Sequence, residues 1–106
     1  MESEREPIRL AKPIHELVSD QAQAIGDAAR GESGTAIANV LREMAAMRAL
    51  LDPMIENFVT VMRAMGEPWS AVGTSLGVSK QAAWERYRHL DGLLPRGVIV
   101  ESERIA

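Results

Sequence analysis

The chain has 106 residues, a formal net charge of −3 and no cysteine, so it has the length of one domain and lacks the residue for disulfides and thiolate metal sites. With 46% apolar but only 4% aromatic residues, its core must consist of aliphatic side chains and methionine, a composition that favours helices. Because the chain has neither a run of signal-peptide length nor the roughly 18 apolar residues that span a membrane, we expect a cytoplasmic protein with no membrane contact.

The N-terminal residues predict an arm and then a helix. Residues 1–12 are charged and lack periodicity, so we expect a mobile arm. A helix fits residues 13–30, since proline suits a first helical turn and Gly31 is a natural helix stop. Its apolar residues share one stripe: Ile14, Leu17, Val18, Ala22, Ile25 and Ala29.

The longest predicted helix covers residues 35–65. Its apolar residues recur at alternating steps of three and four, which is a heptad seam: Ile37, Val40, Met44, Met47, Leu51, Met54, Phe58, Val61 and Met65. Asp52-Pro53 would normally stop a helix or begin a new one, yet the seam keeps its phase across this dipeptide. One kinked helix and two nearly coaxial helices both fit the pattern.

The seam has two interpretations, a core against the first helix or an interface between two copies of the chain. We favour a homodimer, because the seam has more apolar surface than one short neighbouring helix can cover. The predicted dimer interface consists of Val40, Met44, Met47, Leu51, Met54 and Phe58.

Two short helices follow in "WSAVGTSLGVSKQAAWERY", residues 69–87. We expect them at about 69–76 and 80–90, with Gly77 adopting positive φ in the turn and Ser79 capping the second helix. Val78 is expected to fill the corner between them. The predicted core of this pair is Val72, Gly73, Leu76, Gly77, Val78, Ala83 and Tyr87. In the tail that follows, "GVIV" fits either a short strand or an apolar strip on the core.

This segment resembles the helix-turn-helix of bacterial DNA-binding regulators, through the "LGVS" turn and the small-residue-rich helix after it. The resemblance covers about 20 residues and departs from the family at Gly73, where alanine is more common. It implies that the helix at about residues 79–90 enters the major groove of duplex DNA. The DNA-contacting positions that it implies are Ser70, Ser79, Lys80, Gln81, Ala82, Trp84, Glu85 and Arg88.

The resemblance also implies a role for several of these side chains. Gln81 suits an adenine edge, and Lys80 suits guanine or a phosphate. Ala82 can touch a thymine methyl group, whereas Ser70 and Arg88 are placed for the DNA backbone. Trp84 fits DNA contact and packing equally well, while Trp69 and Tyr87 are expected in the core.

Charge and motif content bear on the function class. Residues 63–96 hold five basic and three acidic side chains, whereas residues 1–62 hold six basic and ten acidic ones, so positive charge gathers around the predicted motif. His15 and His89 are isolated, and we find no phosphate-binding loop, metal-ligand spacing or nucleophile beside a base. We therefore expect no enzyme activity, no cofactor and no metal.

We predict an all-α protein with a helical hairpin over residues 13–65, a helix-turn-helix over residues 66–92 and a tail over residues 93–106. As a homodimer it would bind double-stranded DNA sequence-specifically, as a small transcriptional regulator or repressor. Two alternatives stay open: a DNA-binding accessory factor of plasmid, phage or recombination systems, and a helical protein-interaction module, which the acidic net charge supports. The sequence does not indicate the DNA site or a small-molecule effector.

Overall fold

The computed structural model describes residues 5–31 and 34–103, and this part of the chain is 71% helical. The mostly helical class is therefore confirmed. The α-helices are α1 (Ile14–Ala29), α2 (Gly34–Ala64), α3 (Trp69–Leu76) and α4 (Lys80–Tyr87). Two strands, β1 (Ile8–Leu10) and β2 (Val98–Val100), and two 3-10 helices, Arg88–Leu90 and Glu101–Glu103, complete the described elements.

The chain divides into two compact units. The C-terminal unit comprises Met1–Pro7 and Met54–Gly97, and the N-terminal unit comprises Ile8–Pro53 and Val98–Ala106. The division falls inside α2, whereas the sequence suggested one helical domain over residues 13–92. Pro53, which interrupts the hydrogen bonding of the helix, is the last residue before this division.

In the N-terminal unit, α1 begins and ends within one residue of its predicted bounds, but none of its residues is buried. The Gln21 side-chain amide links α1 to α2, donating to the Glu43 carbonyl oxygen at 3.1 Å and to Glu43 Oε2 at 2.5 Å. Before α1, the Lys12 ammonium donates a hydrogen bond to Asp20 Oδ2 at 2.8 Å. This bond raises the pKa of Lys12.

The expectation of a mobile arm over residues 1–12 needs correction. Residues 8–10 form β1, which pairs in parallel with β2 in the register Ile8 with Val98 and Leu10 with Val100. Ile8 and Leu10 are buried, so this segment is held by the sheet, and residues 1–4 lie outside the described part. The fold is thus helical with one small sheet, and the strand alternative for "GVIV" is the correct one. A strand of three residues is too short for its periodicity to be read.

The long helix α2 continues through Asp52-Pro53, because Pro53 lies inside it. Pro53 removes one backbone donor, but the apolar positions keep their phase on both sides. The two alternating rows of the seam differ in exposure. The inner row, Val40, Met47, Met54 and Val61, is buried or half-buried, whereas the outer row, Ile37, Met44, Leu51, Phe58 and Met65, is exposed apart from half-buried Leu51.

Because of this difference, the six residues of the predicted dimer interface are not equally exposed. Met44 and Phe58, which belong to the outer row, are 50% and 57% exposed. Met54 of the inner row is only 6% exposed, and it therefore adds little to any outer surface. Val40, Met47 and Leu51 are half-buried.

The C-terminal unit has an apolar cluster that joins the end of α2 to α3 and α4. Its buried members are Val59, Trp69, Val72, Ala83, Tyr87 and Leu90. The expected packing of Trp69 and Tyr87 is confirmed, and the Arg63 guanidinium lies 4.6 Å from the centroid of the Trp69 ring. Arg63 also donates to Asp91 Oδ1 at 2.7 Å, just after the 3-10 helix that follows α4. The cluster therefore packs α3 and α4 against the end of α2.

Asn57, a buried polar residue of α2, holds the segment beyond α4. Its Oδ1 accepts from the Arg96 N–H at 2.6 Å, and its Nδ2 donates to the Arg96 carbonyl oxygen at 2.8 Å. The Arg96 side chain donates through Nε to the Glu6 carbonyl oxygen at 2.6 Å. Arg96 is thus a brace within its unit.

Candidate nucleic-acid interface

The turn between α3 and α4 is fixed by backbone hydrogen bonds. Gly77 lies in the left-handed region at φ 72° and ψ 27°. Its N–H donates to the Thr74 carbonyl oxygen at 3.2 Å, and the Val78 N–H donates to the Gly73 carbonyl oxygen at 2.9 Å. These two bonds form a Schellman motif, which ends a helix and sets the exit direction of the chain. The turn therefore determines how α4 leaves α3.

Gly73 lies on the α3 surface over which the chain returns after the turn. A Cβ atom at this position would lie 2.8 Å from the Val78 carbonyl oxygen and 3.0 Å from the Ser79 carbonyl carbon. These are backbone atoms, so they cannot move aside as a flexible side chain would. The glycine therefore allows a contact that is too close for the alanine more common in the family that the segment resembles.

Ser79 begins α4 as its N-cap. The residue has extended backbone angles, and its Oγ accepts from the Ala82 N–H at 3.0 Å, which satisfies a donor that a helix start leaves free. The α-helix ends at Tyr87 and continues as the 3-10 helix Arg88–Leu90. The predicted helix of residues 80–90 thus divides into an α-helical part and a tighter last turn.

One face of α4 anchors the helix and the rest is exposed. Ala83 and Tyr87, four residues apart, are buried against α3 and the end of α2. All eight predicted DNA-contacting residues lie on or beside α4, or near the start of α3, and all are exposed: Ser70, Ser79, Lys80, Gln81, Ala82, Trp84, Glu85 and Arg88. The side chains of all eight residues are therefore accessible to a partner.

Of the predicted core of this helix pair, Val78 is the exception. Val72, Gly73, Ala83 and Tyr87 are buried, and Leu76 is half-buried. Val78 is 45% exposed and does not fill the corner between the helices, because the Schellman turn directs it outward. It lines a hollow of about 600 Å³ beside α4, together with Leu76, Ala82, Ala83, Glu85, Arg86 and Tyr87.

The outermost ridge of α4 carries a hydrogen-bonded pair that was not predicted from the sequence. Gln81 Nε2 donates to Glu85 Oε1 at 2.9 Å. The two residues are four apart, so they share a face of the helix, and this face is opposite the buried Ala83. The spacing of four between an amide and a carboxylate was the signal that could have revealed the pair.

Two arginines of α4 and its 3-10 extension lie over aromatic rings. The Arg88 guanidinium is 5.0 Å from the centroid of Trp84, whose side chain is 38% exposed. Arg86 lies 5.6 Å from the centroid of the Tyr87 ring. Both distances suit cation–π contact. The charge of residues 79–88 comes from Lys80, Arg86 and Arg88 against Glu85, which gives +2.

In the described ranges, no three His, Cys, Asp or Glu side chains come together in a group that could hold a metal ion. None of the helices in this part of the chain combines the length and the apolar character needed to cross a membrane. Comparisons with protein-family models, curated proteins and solved structures found no match to the chain.

Proposed function

We propose that α3 and α4 form a helix-turn-helix that binds double-stranded DNA sequence-specifically, with α4 in the major groove. The observation that carries the proposal is the presentation of α4. Ser79 caps the helix, Ala83 and Tyr87 anchor one face, and the remaining residues of its first turns are exposed. A rigidly held helix with an exposed polar N-terminal half suits base readout.

In the proposed complex some of the exposed residues contact bases and others contact the DNA backbone. Lys80 and Gln81 contact base edges, with Lys80 also within reach of a phosphate, and Ala82 contacts a thymine methyl group. Ser70 and Arg88 contact the DNA backbone. Ser79 acts first as the helix cap, since its Oγ already accepts a backbone hydrogen bond. Trp84, with Arg88 over its ring, lies at the edge of the contact.

We further propose that the protein binds DNA as a homodimer. Two observations support a second copy: α1 has no buried residue, and the outer row of α2 exposes large apolar side chains, among them Ile37 and Met44. Apolar surface of this kind is typical of protein interfaces. A two-fold axis would also double the contacts of a single short recognition helix.

The biological role that fits these properties best is a small transcriptional regulator, which would repress transcription by occupying a promoter. A DNA-binding accessory factor of plasmid, phage or recombination systems would use the same surface. The two differ in where the bound sites lie relative to promoters and replication origins.

DNA binding is tested by titrating the protein into two labelled duplexes across a salt series. One duplex has a random sequence, and the other is taken from upstream of the protein's own gene. We expect tighter binding to the upstream duplex and a steep loss of affinity with salt, because Lys80 and the nearby arginines displace counterions from phosphates. The absence of binding to both duplexes at low salt contradicts the proposal.

Two variants locate the binding surface. Replacing Lys80 and Gln81 together with alanine should abolish the preference between duplexes and leave the fold intact, since both side chains are exposed. The control is Arg48→Ala, which removes an exposed basic residue of α2 in the N-terminal unit. If the double variant keeps the wild-type preference, α4 is not the reading surface.

A protein-interaction module is the second candidate, and the hollow beside α4 favours it. The apolar side chains of Leu76, Val78 and Ala82 line this hollow, and the net charge of the chain is −3. The open apolar hollow could accept an apolar side chain of a partner protein, and the acidic net charge disfavours DNA as the partner. If neither duplex binds at any salt concentration of the series, the result favours this candidate over the helix-turn-helix.

A further inference from the structure

The Gln81–Glu85 pair carries an inference that rests on the proposed DNA binding. The Glu85 carboxylate lies on the α4 ridge opposite the buried Ala83, and so in the middle of the surface that would face the bases. Among the described residues, no basic side chain comes within 4.0 Å of it to form a salt bridge. An unneutralised carboxylate in a DNA-binding face weakens the attraction to phosphate. Because Glu85 would lower the affinity for DNA in general, we look for its contribution in the choice of base.

We propose that Gln81 and Glu85 act as one reading unit that selects adenine and rejects guanine. Gln81 has two N–H donors and one carbonyl acceptor. One donor is bound by Glu85 Oε1 at 2.9 Å, which leaves one donor and the carbonyl oxygen. Adenine needs this combination, because its N7 accepts and its N6 amino group donates. Glu85 is thus a positioning residue for the Gln81 amide.

The free oxygen of Glu85 adds a second preference. A carboxylate only accepts hydrogen bonds. Cytosine N4 and adenine N6 present amino donors in the major groove, whereas guanine presents the acceptors N7 and O6. The base that Glu85 faces is therefore cytosine or adenine, and guanine at that position places acceptors against a negative charge. The class of DNA site is one with adenine beside cytosine or a second adenine in each half-site.

The experiment starts from duplexes that the wild-type protein selects from a randomised pool. Each base pair of the best site is replaced in turn by the other three, and affinities are measured by fluorescence anisotropy for the wild type, Glu85→Gln and Glu85→Ala. The charge-matched control is Glu56→Gln, which removes an exposed carboxylate from α2 in the same unit. Thermal melts check that all variants stay folded.

The wild type should bind guanine at one position about tenfold or more weakly than cytosine. Glu85→Gln should lose this discrimination and keep the adenine preference, because its side-chain oxygen still accepts from Gln81. Glu85→Ala should lose both preferences, and Glu56→Gln should lose neither. Selective binding by the wild type with unchanged preferences in both Glu85 variants overturns this inference and leaves the proposed function standing. If the wild type selects no duplex at all, the proposed function fails, and the inference fails with it.

Discussion

Gly73 and Val78 are in closer contact than any other residue at position 73 would allow. The Gly73 carbonyl oxygen accepts the Val78 N–H at 2.9 Å, and a Cβ at Gly73 would lie 2.8 Å from the Val78 carbonyl oxygen. We expect Gly73→Ala to lower the free energy of unfolding by about 1–3 kcal/mol, since overpacking against backbone outweighs the gain in helix propensity. The measurement is the urea midpoint of the variant against that of the wild type.

The control is the same substitution at Gly26 of α1, where an added Cβ meets nothing within 4 Å. In open space the helix-propensity term acts alone, so Gly26→Ala should raise stability by up to about 1 kcal/mol. Equal effects of the two substitutions would show that the close contact at Gly73 has no energetic consequence.

The Asn57 side chain is buried, so water cannot easily replace the hydrogen bonds that it makes. Asn57 is 4% exposed and pairs with both backbone groups of Arg96. We expect Asn57→Ala to lower the free energy of unfolding by about 1–3 kcal/mol, because the N–H and the carbonyl oxygen of half-buried Arg96 both lose their partner. Chemical denaturation followed by circular dichroism measures the change.

Asn39→Ala is the matched control. The Asn39 side chain accepts from Arg42 on the exposed side of α2, and water can replace this bond, so the change should stay within about 0.5 kcal/mol. A wild-type midpoint for Asn57→Ala would count against the bracing role of the Asn57–Arg96 pair.

The proposed dimer makes a prediction about the outer row of α2. Met44 is 50% exposed, so Met44→Glu should leave the protomer folded and weaken self-association at least about tenfold, because a charge in an apolar interface loses its hydration. Sedimentation velocity over a concentration series measures the monomer–dimer equilibrium.

Ala49→Glu is the control for that measurement, because Ala49 is an exposed residue of α2 outside the seam. It should associate as the wild type does. A wild-type protein that stays monomeric at all concentrations, or a Met44→Glu protein that dimerises normally, contradicts the proposed interface.

Local sequence signals predicted the helices well. The bounds of α3 match the expectation because Pro68 precedes its first residue and Gly77 follows its last, and Ser79 marks the start of α4 through a cap that needs no distant partner. The heptad pattern keeps its phase past Pro53, which is consistent with the single helix α2. The pattern alone did not distinguish one kinked helix from two coaxial helices.

Features that depend on distant residues were missed. The pairing of Ile8 with Val98 joins segments some 90 residues apart, and no local pattern encodes such a partner. The outward direction of Val78 was missed for a different reason, because it follows from local hydrogen bonds of the turn that the apolar character of the residue does not reveal. Likewise, an alternating seam predicts an apolar stripe, but which row the rest of the chain covers depends on tertiary packing.

The most direct test of the central claim is a titration of the ¹⁵N-labelled protein with a short duplex from a selected site, followed by amide and indole chemical shifts. We expect the largest shifts at residues 79–85 and at the Trp84 indole N–H, with the buried Trp69 indole and the amides of α1 nearly unmoved. Shifts confined to the outer row of α2, or no shifts at saturating duplex, would contradict the proposal that α4 reads DNA.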